Sequence, residues 1–276
     1  MSDPASLAIL LDGPLQAWGV SSRFQRRETE AFPVKSGLLG LLAAALRIDK
    51  HDEAETDRLA PLAALRVTAY RLPKARGLDA RHRELPVQRL VDFHTVGGGY
   101  PDTPEGRLNI PPVAEKTKSG GMRWRTPDKR TVATSRTYLT DARFAAVLTG
   151  DAATIQAAAE ALADPAWGVW FGRKACLPAL PLSPTVAPTP DEALSALLAR
   201  LAEWDQRPPL DPATLDRWEE PKTADAAEGD FFLHDSPLSY QQRSFAARPV
   251  RHHRGSAESS RSATPESVPD GYFEAL

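Results

Sequence analysis

The chain predicts an α+β fold, and three features predict it. First, an apolar run, Leu7 to Leu11, is followed by a helix-period run and then by an alternating run, Leu65 to Leu72. Second, a similar set follows later: Ala142 to Leu148 as a strand, Asp151 to Asp164 as an alanine-rich helix, and a short apolar run from Trp167 to Phe171. Third, the stretch between the sets, Pro73 to about Arg136, is dense in Gly, Pro, Arg and Lys and has little periodicity. The order β-α-β-β-α-β reads as an RRM-like or ferredoxin-like palm with an insert.

Each element has its own reason. Leu7 to Leu11 stops at Asp12-Gly13-Pro14, a turn signal. The first helix, Ser36 to Arg47, carries Leu38, Leu39, Leu41, Leu42, Ala45 and Leu46 on one apolar face. Asp49 to Asp57 is acidic and reads as an exposed, mobile segment leading into Leu59 to Ala64. Two extended runs, Glu84 to Val96 and Thr131 to Leu139, bracket a Gly- and Pro-rich tip and pair into a hairpin arm. In the second helix Asp151 is placed to cap, and Ile155, Ala158, Ala159 and Leu162 make its apolar side. Pro190 to Trp204 is amphipathic, with Leu194, Leu197, Leu198 and Leu201 at helical spacing. Residues 203–230 are acidic and read as a surface loop. Phe231 to Leu233 and Leu238 to Val250 read as short strands, and 254–276 as a disordered tail. The domain reading is a palm over 1–182, a thumb-like arm inserted at 76–140, and an irregular, partly β C-terminal extension over 183–276.

Composition narrows the function. The 276 residues carry a net charge of −2, so nothing global announces a nucleic-acid partner. The distribution does. Between 116 and 143, eight basic residues face only Asp128 and Asp141, with Trp124 and Tyr138 among them. Between 66 and 89, seven basic residues face only Asp79 and Glu84. A basic stretch bearing aromatics is the footprint of a protein that tracks a nucleic-acid backbone. One cysteine, Cys176, excludes an internal disulfide and suits a reducing cytoplasm, the expected location. Its neighbours Arg173 and Lys174 are expected to lower its pKa. No phosphate-loop or metal-ligand spacing occurs, so neither a nucleotide cofactor nor a metal is expected, and no membrane partner is.

The loop between the first strand and helix holds Gln16, Trp18, Arg23, Phe24, Arg26, Arg27 and Lys35. Rings and guanidinium groups interleaved in this way suit bases and phosphates, and the helix start at Ser36-Gly37 offers an anion site. The order GP-x-QAWG, Arg-rich loop, FP-x-KSGLLGLL resembles the CasD subunits of type I-E CRISPR Cascade complexes, in the RAMP superfamily of RNA-binding proteins. Further segments are similar to that family: Asp92, His94, Thr95 and Val96; Arg136, Tyr138, Leu139, Asp141, Ala142 and Phe144; Gly172, Arg173, Lys174, Cys176 and Pro181. The likeness is thin after 183.

The resemblance implies a non-catalytic subunit that caps the 5′ handle of the CRISPR guide RNA. RNA contacts would fall on Gln16, Trp18, Arg23, Arg26, Lys35, Ser36, Gly37, His94, Thr95, Arg136, Tyr138, Arg173 and Lys174. Partners would be the guide RNA, the backbone subunit and the large PAM-reading subunit, with target DNA reached indirectly. The alternative is a metal-independent endoribonuclease that processes the guide precursor, with His94 and Tyr138 or Lys35 as its acid–base pair.

Overall fold

The computed structural model describes residues 4–20, 22–23, 26–74, 87–96, 113–117, 119–125, 132–221 and 230–255; the side chains of 22, 23, 95, 96, 113–116, 123–125 and 132 lie outside that description. The expected tail, most of the arm's tip and residues 222–229 of the acidic segment also lie outside it.

The architecture is α+β. Its main sheet has seven strands in the order β11-β1-β10-β5-β12-β14-β13. These are β1 (Pro4–Asp12), β5 (Arg66–Arg71), β10 (Arg143–Asp151), β11 (Thr185–Ala187), β12 (Arg217–Glu219), β13 (Phe231–Ser239) and β14 (Ser244–His253). Every neighbouring pair is antiparallel. The expected strands 7–11, 65–72 and 142–148 are β1, β5 and β10. The next strand after β10 is β11, and the run Trp167 to Phe171 is irregular. That run is apolar because Phe171 is a core ring held against Trp18, with centroids 6.1 Å apart.

Among the described residues, four α-helices flank the sheet. Helices α1 (Lys35–Ala45), α2 (Glu55–Ala63) and α3 (Ala152–Ala163) belong to one core cluster with Leu7, Ile9, Leu11, Phe144, Ala146 and Leu148. Helix α4 (Pro190–Asp205) covers the other face, where Leu194, Leu197, Leu198 and Leu201 pack on Ala8, Leu10, Tyr70, Leu72, Ala145 and Val147. Alternation along β1 sends odd residues to one helix layer and even residues to the other. Both faces are buried, so the strand reads as a continuous apolar run. The α3 N-terminus is capped by Asp151, which accepts from Thr154 N at 2.9 Å. Helix α4 opens with a capping box between Thr189 and Glu192.

Two expectations are corrected. The segment before Leu59 is not simply an exposed lead-in: α2 starts at Glu55, which is buried and accepts from Ser239 Oγ and Tyr240 N, both at 2.7 Å. The acidic stretch 203–230 is not all surface loop. It supplies β12 to the interior of the main sheet, and Asp216 and Trp218 are buried.

A second sheet joins β2 (Leu15–Gln16), β9 (Val132–Thr140), β4 (Arg26–Arg27) and β3 (Ser22–Arg23), with β6 (Gln88–Val96) paired to β9. The β6–β9 ladder is antiparallel and unbroken, from Gln88 opposite Thr140 to Val96 opposite Val132. A short hairpin, β7 (Val113–Lys116) and β8 (Met122–Arg125), lies in the tip.

Candidate nucleic-acid interface

The loop after β1 and the segment after α3 interlock. Ala17 N donates to Phe171 O at 3.0 Å, and Trp18 N donates to Thr29 Oγ1 at 2.7 Å. Gly172 has φ +88°, and a Cβ there would sit 1.7 Å from Ala17 O. Gly37 faces the Trp18 ring so closely that an added Cβ would lie 2.8 Å from it. These close approaches fix where the glycines of the motif must be.

Several expected RNA contacts turn inward as a result. Trp18 is fully buried, and its Nε1 donates to Gln16 Oε1 at 3.0 Å. Gln16 is also fully buried, and its Nε2 donates to Leu11 O and Ala142 O at 3.0 and 2.8 Å. With all four polar partners internal, Gln16 and Trp18 build the loop; they do not line its surface. Ser36 is buried too, and its carbonyl accepts from Tyr240 Oη at 2.6 Å.

Lys35 is corrected in the same way. Its side chain is only 3% exposed and its Nζ donates to both Glu220 oxygens at 3.1 Å. Burial pushes its pKa down, against the pull of Glu220. The anion site at the start of α1 is filled from within: Asp235 accepts from Lys35 N at 2.7 Å. Asp235 also takes two bonds from Arg248, at 2.7 and 2.9 Å. A helix start favours a carboxylate as much as a phosphate. Here the carboxylate comes from 200 residues away, and no local sequence signal announces it.

Arg173 spends its fork on the protein. Nη1 donates to Thr137 O and Nη2 to Arg27 O, both at 2.9 Å, and the guanidinium lies 4.5 Å from the buried Tyr138 ring. It thereby fastens β9 and β4 to the 168–177 segment. Tyr138 is therefore covered and not a stacking platform. Cys176 is buried, and desolvation raises its thiol pKa, outweighing Arg173; the expected lowering is reversed.

The cations that stay accessible here lie on β4 and β9 of the second sheet and on the neighbouring 168–177 segment. Arg26 and Arg27 are exposed on β4, Lys174 is exposed beside the Trp170 ring, and Arg136 is half-buried on β9. In register, Arg136 lies between Arg27 on one side and Asp92 on the other. His94 Nε2 is hydrogen-bonded to Asp92 Oδ2. The backbones of Arg23 and Thr95 lie in β3 and β6, and their side chains are outside the described residues. On the opposite face of β6, Val91 and Phe93 are 62% and 69% exposed.

An α+β protein with a small second sheet that presents Arg26, Arg27 and Arg136 is the class these features define. A family model described as CRISPR-associated protein (Cas_Cas5) matches residues 6–251, and the chain belongs to that family. Among individual relatives, CRISPR system Cascade subunit CasD of Escherichia coli (strain K12) is 32% identical over 173 residues, 62% of this chain and 66% of the relative's length. Among solved structures, a chain of a CRISPR RNA-guided surveillance complex is 30% identical with a TM-score of 0.58, covering 91% of this chain and 90% of that one. A structure described as a crystal structure of a Cas protein is 29% identical with a TM-score of 0.52, covering 90% and 93%. In this chain no helix of the described residues is long and apolar enough to cross a membrane.

Proposed function

We propose that this chain is a non-catalytic RNA-binding subunit of a type I-E Cascade-like complex and caps the 5′ handle of the guide RNA. The observation that carries the reading is the group of Arg26, Arg27 and Arg136 on the second sheet, with Lys174 on the adjoining segment. The family match runs through that whole sheet, and the two relatives named for Cascade and for a surveillance complex support the assembly.

The strands β11-β1-β10-β5 with their two crossover helices form an RRM-like palm in this reading. The face on which such palms commonly stack bases is covered by α4. RNA is therefore assigned to the second sheet and to the arm, roughly 76–140, which acts as a thumb over the guide. The exposed Val91 and Phe93 suit a protein neighbour, the backbone subunit, and the large PAM-reading subunit docks nearby. Target DNA is then reached through base pairing with the guide.

The test is binding of a handle-sequence RNA to the full chain across a salt series. Affinity should fall steeply with salt. An affinity that does not respond to salt overturns the reading. The alternative, a metal-independent endoribonuclease, has one observation in its favour: Asp92 holds His94 as a base-orienting carboxylate would. Precursor RNA should stay intact with the purified protein in EDTA. A single-site cut that disappears in His94→Ala would replace the proposal with that alternative.

A further inference from the structure

One face of the β6–β9 ladder carries three cross-strand pairs: Leu90 opposite Tyr138, Asp92 opposite Arg136, and His94 opposite Thr134. Strand β4 sets Arg27 beside Arg136 on the other flank. Two polar atoms of this face, Thr134 Oγ1 and Arg136 Nε, are buried and have no hydrogen-bond partner among the described residues. Folded proteins leave few such atoms unpaired, and a missing ligand is a standard reason when they do. Next to them Asp92 and His94 remain accessible, with side chains 37% and 43% exposed. Asp92 engages Nε2 of the imidazole, which leaves Nδ1 as the ring's other hydrogen-bonding atom.

The groups sort by charge. A phosphate over Asp92 would be repelled, so the anion belongs on the Arg136–Arg27 side. The hydroxyl of Thr134 can give or take a hydrogen bond, and Nδ1 of His94 is a second hydrogen-bonding atom beside it. They suit a sugar hydroxyl one step along the strand. We propose that this face seats one ribonucleotide, with its phosphate on Arg136 and Arg27 and its 2′-hydroxyl between Thr134 and His94, so that the arm prefers RNA to DNA of the same sequence. The inference rests on the proposed RNA binding and names the sugar-reading residues within it. The 2′-hydroxyl is the group by which a protein tells the two nucleic acids apart.

The experiment measures affinity of the full chain for handle-sequence RNA and for the same sequence as DNA, across salt. Thr134→Val and His94→Phe should each weaken RNA binding about fivefold, the loss of one hydrogen bond, and leave DNA binding unchanged. Thr134→Val should melt no lower than the parent, because it removes a buried hydroxyl that has no partner. Arg136→Gln should weaken RNA and DNA alike and reduce the salt slope by about 0.7. An RNA-to-DNA ratio that both Thr134→Val and His94→Phe leave unchanged, with RNA still bound, overturns the inference alone. A parent chain that binds neither nucleic acid overturns the proposed function with it.

Discussion

Gly172 shows how much a single residue decides here. Its φ of +88° suits glycine, and an added Cβ would meet the Ala17 carbonyl at 1.7 Å, with backbone on both sides of the clash. Gly172→Ala should therefore cost about 3 kcal/mol or more, seen as a large fall in melting temperature. Gly40 is the contrast. It lies inside α1, and a Cβ there would meet the Tyr240 Oη at 3.4 Å, an ordinary contact. Gly40→Ala should raise stability by about 0.5–1 kcal/mol, because alanine orders more cheaply in a helix. Tyr240 sets a pH dependence. Burial pushes its phenol far above the ordinary value of 10.0, with Glu55 and Asp235 adding to the rise. Above pH 10 the unfolded phenol ionises and the folded one does not, so the native state holds the extra proton and stability falls as pH rises. Burial raises Tyr70 in the same sense. Unfolding by denaturant from pH 8 to 11 should show this decline, and Tyr240→Phe should flatten it. The same variant should lose about 1 kcal/mol at pH 8, the net worth of the bond to the Ser36 carbonyl.

At the scale of elements, Arg173 links the arm's root to the rest. A planar fork with two carbonyl acceptors and a ring beneath it cannot be replaced by a single ammonium. Arg173→Ala and Arg173→Lys should both loosen β9, by about 2 kcal/mol, read as faster amide exchange from Thr137 to Leu139. The arm beyond the root behaves differently. Thr137, Tyr138 and Leu139 are buried, whereas Leu90, Val91 and Phe93 across the ladder are exposed. Replacing 97–129 with a short Gly-Ser linker should thus leave the melting curve of the isolated protein nearly unchanged and reduce its incorporation into an assembled complex. If that deletion unfolds the chain, the arm is core structure; if co-purification is untouched, it is not a thumb. These elements were also the ones most legible in the sequence. Strand and helix periods, the Asp151 cap and the two arm runs are local patterns, and they stand in the structure near the expected bounds. The interface was less legible. An aromatic or a lysine in a polar loop carries no mark of whether its partner is a ligand or a distant strand. Trp18 and Lys35 look alike as RNA contacts until Thr29, Glu220 and Asp235 are brought beside them. Arg27 and Thr134 gave no distinct signal, because their place depends on the β4–β9 and β6–β9 register.

At the scale of the whole molecule, the expected division at 182 falls within the main sheet. The main sheet runs on from β5 through β12 to β14 and β13 on one side and takes β11 on the other, and all four of those strands follow residue 182. Helix α4 covers the apolar face made by Ala8, Leu10, Tyr70, Leu72, Ala145 and Val147. Two charged links cross the same line. Asp235 caps α1, and Glu220 balances Lys35 while accepting from Val67 N at 3.3 Å. Removing one side of such a buried pair leaves a charge uncompensated, at about 3–5 kcal/mol. A chain cut after Leu182 therefore loses one covering layer, both sheet edges and the partners of a buried lysine together. It should show no cooperative thermal transition, and its near-ultraviolet circular dichroism should collapse. The point variant Asp235→Ala separates the electrostatic part from the packing part. It should still fold, with its unfolding free energy lower by about 3–5 kcal/mol and a guide-RNA salt slope unchanged from the parent, since Asp235 serves the fold of the helix start. A truncated chain that melts cooperatively near the parent temperature would restore 1–182 as a self-standing palm and return the helix start of α1 to the list of phosphate sites.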